Sequence, residues 1–224
     1  MKAARGERRG LVLAAGLGGT ALFIGLAVLG WGTWSGLVAH PARAGLVALS
    51  VVFTLVALAS PVNLSSGERE DVRDRSLFAP ALAGMLLLGW LMPYLDRRDL
   101  ATLDGDVVRY LGLGLLAIGG VLRIWPMFVL GRRFSGLVAI QSGHELVTDG
   151  VYRYVRHPSY LGMMISFVGW VLVFRSAVGL AAAALGLLVL AQRIEAEEAL
   201  LASQFGDRYA EYRRRTWRLL PGVY

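Results

Sequence analysis

Apolar and polar positions fall along this chain in long blocks, without the short periods of a soluble fold. Uncharged, mostly apolar runs cover Leu11 to Trp31, Gly45 to Leu64 and Leu77 to Leu95. A helical run of ~20 residues is long enough to cross a hydrocarbon core of ~30 Å. A fourth run, Val107 to Gly131, carries Arg109 near its start and Arg123 inside it. Two shorter runs, Leu161 to Phe174 and Ala177 to Gln192, are separated only by Arg175 and Ser176, which predicts a tight helical hairpin. Its second arm continues into RIEAEEALLASQFGDRYAEYRRR, where helix formers dominate and charges recur, so this part is expected to project into water as a helix. The pattern predicts an all-α, polytopic transmembrane bundle of about five to six spans, ending in a C-terminal helical hairpin and a cytosolic C-terminal helix.

Composition agrees with that reading and removes several chemistries. With 56% hydrophobic and 17% charged residues among 224, the chain lies outside the range of soluble domains. Its 28 glycines suit close helix approach in a bilayer. The GLGLLAIGG run sits wholly inside the fourth span and reads as helix packing, not as a dinucleotide loop. There is no cysteine, which excludes disulfides, thiol nucleophiles and cysteine-ligated metals. His144 and His157 lack metal-ligand spacing, so no metal is expected. The net charge of +7 comes from basic residues beside apolar spans, which points to anionic headgroups and away from nucleic acid.

Charge also predicts orientation. With six spans and the N-terminus in the cytoplasm, 17 Lys and Arg fall on the cytoplasmic side and 5 on the other (Arg43, Arg97, Arg98, Arg109 and Arg175). Arg123 stays in the membrane. Arg109 can snorkel to an interface, but Arg123 lies ~12 Å of helix from the Gly131 end. For Arg123 a functional cavity, snorkelling and a structural pair all remain open.

One stretch stands apart from this apolar background: Gln141 to Gly162, QSGHELVTDGVYRYVRHPSYLG, which is polar, basic and aromatic. Its residues supply positive charge, aromatic faces and hydrogen-bond donors. Pro158 fixes the turn from which a helix departs, and the free N–H groups at that helix start can bind a carboxylate. Beyond the hairpin, Arg193 and Glu197 are four apart and share a helix face, while Glu198 is turned about 100° away. One glutamate can address a ligand while the other faces solvent or a neighbouring helix. Taken alone, the Arg193 and Glu197 pair is equally consistent with a plain surface salt bridge.

The combination GHELVTDGVYRYVRHPSYLG, then RIEAEEALLASQFGDRYAEYRRRTWRLLPG about 30 residues on, resembles the signature of the isoprenylcysteine carboxyl methyltransferase family, whose relatives include phospholipid N-methyltransferases. The family pattern HxLVxxGxYxxxRHPxYxG, followed by a Glu-Glu pair, is matched at every fixed position. The resemblance covers Gln141 to Gly222. It implies a pocket for S-adenosylmethionine built from the central stretch, the hairpin and the helix after it. His144, Leu146 and Val147 match the cofactor-contacting HxLV segment, with Glu145 at its variable position. Tyr152 matches the GxY tyrosine, and His157, Pro158, Ser159 and Tyr160 match the HPxY run. Glu197 matches the cofactor-contacting glutamate, Arg193 the substrate-facing arginine, and Gln141 a glutamine just upstream.

The resemblance therefore implies an integral membrane methyltransferase. Residues 1–130 are expected to form the substrate-side transmembrane scaffold and 131–224 the cofactor-binding region, with both termini and the site on the cytoplasmic face. The expected partners are membrane lipids and a lipophilic acceptor, foremost the carboxylate of a prenylated cysteine. A carboxylate acceptor needs no general base, and Arg193 would orient it. A lipid amine or small thiol acceptor, and a non-catalytic transporter or scaffold, are the competing readings.

Overall fold

In the computed structural model the long apolar runs are helices. The structure describes residues 2–60, 69–70, 72–130, 139–140 and 146–223. The helices are α1 (Lys2–Trp31), α2 (Trp34–Val38), α3 (Pro41–Ala59), α4 (Val72–Arg97), α5 (Asp106–Leu130), α6 (Pro158–Val173), α7 (Ala177–Phe205) and α8 (Asp207–Arg214). A 3-10 turn covers Gly150–Arg153, and the two-residue strands β1 (Arg69–Glu70) and β2 (Ala139–Ile140) pair antiparallel. Among the described residues five helices are long and apolar enough to cross a membrane: α1, α3, the Ala79–Arg97 part of α4, α5 and α7. The 16 residues of α6 span only ~24 Å, so it completes the bundle as the short arm of the hairpin. The bundle is all-α, as the hydropathy blocks predict.

Glycine sets the closest helix contact. Gly112 and Gly119 lie seven apart on α5, and Gly162 and Gly169 seven apart on α6, so each pair shares one helix face two turns apart. A Cβ on Gly112 would lie 2.6 Å from the Val173 amide nitrogen; one on Gly162 would lie 2.6 Å from the Gly119 carbonyl and overlap the Arg123 amide; one on Gly169 would overlap the Leu116 amide. Backbone therefore meets backbone along the whole α5 and α6 contact, a packing mode suited to a bilayer where small residues drive association. Leu116, Trp170, Val171, Val173 and Phe174 continue this seam into a core shared with Ala27, Leu37, Leu46 and Met92.

The end of the bundle where α6 turns into α7 is closed by ion pairs. Asp96, with a fully buried side chain, accepts from Arg109 Nη1 at 2.6 Å and Nη2 at 2.9 Å, and from Arg175 Nε at 3.0 Å. Arg109 Nη1 also donates to the Val173 carbonyl at 2.7 Å. Arg109 thus does not snorkel: a bidentate carboxylate holds it at 5% exposure. Arg175 makes the hairpin turn with φ 49°, a left-handed conformation held by its bonds to Asp96 and to Asp99 at 2.8 Å. Ser176 then caps α7 by accepting from the Gly179 amide at 3.0 Å.

The second arm of the hairpin continues as a helix to Phe205, as expected, but the part after it departs from the pattern. The helix expected to run into water stops at Gly206, whose φ of 53° suits glycine, and α8 folds back onto the 149–157 segment. Tyr209 and Tyr212 are buried there, and the Tyr212 hydroxyl donates to the Tyr152 carbonyl at 2.7 Å.

Candidate functional site

Both halves of the sequence motif meet at the other end of α6. Pro158 opens α6 at its first position, with His157 before it, and no side chain caps the helix N-terminus. The 3-10 turn and the Val155–His157 segment are held from outside by the C-terminal segment. The Trp217 amide donates to the Tyr154 carbonyl at 2.9 Å, the Arg156 amide to Trp217 at 2.8 Å, and the His157 amide to Arg218 at 3.1 Å. Residues 216–219 act as a strap across the turn. Leu219 anchors the strap in a small core with Leu190 and Ile194 of α7, against which Tyr160, Leu161 and Met164 pack.

Glu198 fixes this strap from α7. Its carboxylate, 3% exposed by residue, accepts from Arg156 Nε at 2.7 Å and from Arg218 Nε at 3.1 Å, and stands 3.4 Å from His157 Nε2. Arg156 Nη1 also donates to the Thr216 carbonyl and, at 3.2 Å, to the Thr216 hydroxyl. Glu198 therefore does not face solvent. It is the buried member of the acidic pair and ties the turn, α7 and the strap together.

Glu197, one residue earlier, faces the opposite edge of the same histidine. Its Oε1 is 3.8 Å from His157 Nδ1, and its side chain keeps 32% exposure. The His157 ring stacks on Tyr160, with centroids 5.6 Å apart and planes 25° apart. Arg193, a turn before Glu197 on α7, donates from Nε to the Tyr160 hydroxyl at 2.8 Å. From α5, Arg123 Nη1 donates to the Ser159 hydroxyl at 2.5 Å. The arginine flagged inside the fourth span thus points at the HPxY run. Tyr152 is buried behind the turn; desolvation, and then the Glu197 charge, push its phenol above the ordinary tyrosine range, so it stays neutral.

Of the expected site residues, the structure brings together Tyr152, His157, Pro158, Ser159, Tyr160, Arg193 and Glu197, with Leu146 and Val147 half-buried beside the turn. Gln141, His144 and Glu145 lie outside the described residues. Arg218, Thr216 and Tyr212 escape the sequence reading because the C-terminal segment reads as a helix projecting into water. No local pattern reveals that it returns to the turn.

Residues 112–203 match the isoprenylcysteine carboxyl methyltransferase (ICMT) family. The resemblance read from the motifs stands on that match. The chain is 43% identical over 119 residues to a protein-S-isoprenylcysteine O-methyltransferase of Schizosaccharomyces pombe, covering 52% of this chain and 50% of that protein. It is 35% identical over 115 residues to the Homo sapiens protein of the same name, covering 50% of this chain and 40% of that one. The chain spans about half the length of the curated relatives it matches. A solved eukaryotic intramembrane Ras methyltransferase, ICMT, superposes with a TM-score of 0.57 at 24% identity, over 96% of this chain and 74% of that one, which establishes the shared fold.

Proposed function

We propose that this protein is an integral membrane methyltransferase that moves a methyl group from S-adenosylmethionine to the carboxylate of a prenylated cysteine or a similar lipophilic acid. The reading rests above all on Arg193 and Glu197. One helix face carries both, and they reach the same HPxY run, Arg193 at the Tyr160 hydroxyl and Glu197 at His157.

The donor set fits S-adenosylmethionine. The uncapped N-terminus of α6 offers backbone N–H groups to a carboxylate. Glu197, still partly exposed, can accept from an ammonium or from ribose hydroxyls. Leu146 and Val147 offer an apolar face to a flat base, and the motif implies that Gln141, His144 and Glu145 also contact the cofactor. Bound there, S-adenosylmethionine supplies a methyl already activated on a sulfonium. The chain's own task is then to hold the acceptor in line, exclude water and offset the cost of bringing a carboxylate to the bilayer edge. Arg193 does this with a guanidinium whose orientation is fixed by Tyr160. No proton has to be removed from a carboxylate. An amine or thiol acceptor would need a base, and the nearby His157 is 5% exposed with carboxylates close to both ring nitrogens.

In this reading residues 1–130 form the acceptor-side scaffold and 131–224 the cofactor region, and the asymmetry of 17 against 5 basic residues supports a site and both termini on the cytoplasmic side. Membrane lipids surround the spans, and a prenylated protein is the partner that the relatives' names suggest. The test is transfer of radiolabelled methyl to a prenylated cysteine acid by the purified protein in lipid nanodiscs. Base-labile label in the prenylated product is the expected result. Stable label in lipid would move the acceptor to an amine, and failure to bind S-adenosylhomocysteine by calorimetry would remove the enzyme reading altogether.

A further inference from the structure

Around the strap, α8 and the turn present an outer surface that the methyltransferase reading leaves unused. Tyr154 on the turn, Trp217 on the strap and Leu220 just after it are all exposed. Tyr154 and Trp217 are neighbours through the bond from the Trp217 amide to the Tyr154 carbonyl. Arg213 and Arg214 close α8 and Arg215 follows, all three exposed. Arg215 has Glu211 at 3.9 Å, and Arg213 Nε stands 3.9 Å from the Glu198 carboxylate that Arg156 and Arg218 already hold. With Arg156, Asp207 and Ala210, the side chains of Arg213 and Arg214 line an open groove of about 540 Å³, a volume in the range of small-molecule sites. Asp207 is the one acid in that lining among the described residues, so the groove suits a group of phosphate type carrying a single negative charge.

Helix length sets the depth of this surface. The ionic end, where Asp99 is exposed beside Arg175, marks one boundary of the bilayer. From there α6 rises only ~24 Å to Pro158, less than the ~30 Å of a hydrocarbon core. The turn, and the strap bonded to it, therefore lie at the opposite boundary between hydrocarbon and headgroups, the level that tryptophan and tyrosine favour. We infer that α8 and the strap are a docking surface for the anionic phospholipid headgroups of the adjoining leaflet. Tyr154, Trp217 and Leu220 rest in the interface, while Arg213 and Arg214 hold a lipid phosphate in the groove. Lipid is the occupant because guanidiniums and aromatic side chains meet at interfacial depth. This goes beyond the methyltransferase reading and does not depend on the acceptor. Its consequence still reaches the candidate site. The strap's bonds to Tyr154, Arg156 and His157 hold the turn, so a headgroup that binds the closed strap also favours the assembled site.

The experiment follows hydrogen exchange at the Arg156, His157 and Trp217 amides of the full-length protein in nanodiscs of phosphatidylcholine, alone or with phosphatidylglycerol mixed in. A basic residue near an anionic surface contributes about a fivefold gain in binding, so Arg213 and Arg214 together should raise protection at these amides by about tenfold or more in the anionic nanodiscs. Amides along the α5 and α6 seam should not change. In Arg213→Gln/Arg214→Gln the gain should fall to within about threefold, and the ratio between the two lipids cancels any effect of the substitutions on the strap itself. High salt should reduce the gain in the wild type in the same way. Equal protection in both nanodiscs, a gain that survives the double substitution, or a gain spread evenly over the bundle overturns the proposal. So does the same gain produced in phosphatidylcholine nanodiscs by free glycerol phosphate or by an acidic peptide, which would make the occupant a soluble anion or a protein segment.

Discussion

Replacing Glu198 with glutamine tests whether the C-terminal strap is held by one buried carboxylate. The substitution keeps the size and one acceptor oxygen but removes the charge that faces Arg156 at 2.7 Å and Arg218 at 3.1 Å. A hydrogen bond to a charged group contributes about 1.5–3 kcal/mol and a neutral one about 0.5–1.5. Weakening two of them costs about 2–3 kcal/mol after allowing for the partial exposure of Arg218. Arg156 keeps its bonds to Thr216, which sets that figure below the ~3–5 kcal/mol for stripping a buried ion of its partner. The loss falls on local opening of residues 216–219 away from the turn, because the two arginines that Glu198 holds belong to the turn (Arg156) and to the strap (Arg218). Hydrogen exchange reads it directly: the Arg156, His157 and Trp217 amides all donate across the strap. Their protection should fall by about 30- to 150-fold, the factor that 2–3 kcal/mol corresponds to. Amides along the α5 and α6 seam should be unaffected. Unchanged protection at those three amides, or a uniform loss of protection across the bundle, would show that the strap is not governed by this carboxylate.

Other substitutions separate packing, ion pairing and chemistry. Gly162→Ala forces a methyl into the α5 backbone and should destabilise by about 1–3 kcal/mol, read as a lower melting temperature in micelles, whereas Gly84→Ala, with open space around it, should be neutral or slightly stabilising. Asp96→Asn removes the charge shared by Arg109 and Arg175 and should cost about 3–5 kcal/mol, with no change in cofactor affinity per folded molecule. Arg193→Ala should bind S-adenosylhomocysteine normally yet lose turnover by calorimetry and methyl-transfer assay; normal turnover per bound cofactor would reassign it. Glu197→Ala should weaken cofactor binding by about tenfold, as loss of one charge-assisted bond predicts.

The helices were legible because hydropathy acts locally: each apolar run must satisfy its own backbone, and α1, α3, α4 and α5 follow directly. The hairpin was legible for the same reason, since Arg175 and Ser176 leave room only for a turn. What the pattern could not carry was partnership. Arg109 looked like a snorkelling residue because Asp96, thirteen residues earlier, belongs to another helix, and a bidentate bond costs less than stretching to an interface. Asp207 to Arg214 looked like a solvated extension because a helix rich in charge is, by composition, independent of the core. Gly206 breaks it, and two tyrosines then find a buried surface that exists only after the 149–157 turn has formed. The acidic pair shows the same limit at the scale of one residue. Adjacent helix positions point about 100° apart, so Glu197 and Glu198 had to differ, but which one turns to the ligand depends on where Arg156 and Arg218 lie. Those arginines come from segments 42 residues before and 20 residues after the pair, so the assignment is a property of the closed strap. Arg123 repeats the point from the membrane side. Its depth is plain from the run around it, but its hydrogen bond to Ser159 depends on the Gly119 and Gly162 contact that brings α5 against the first turn of α6.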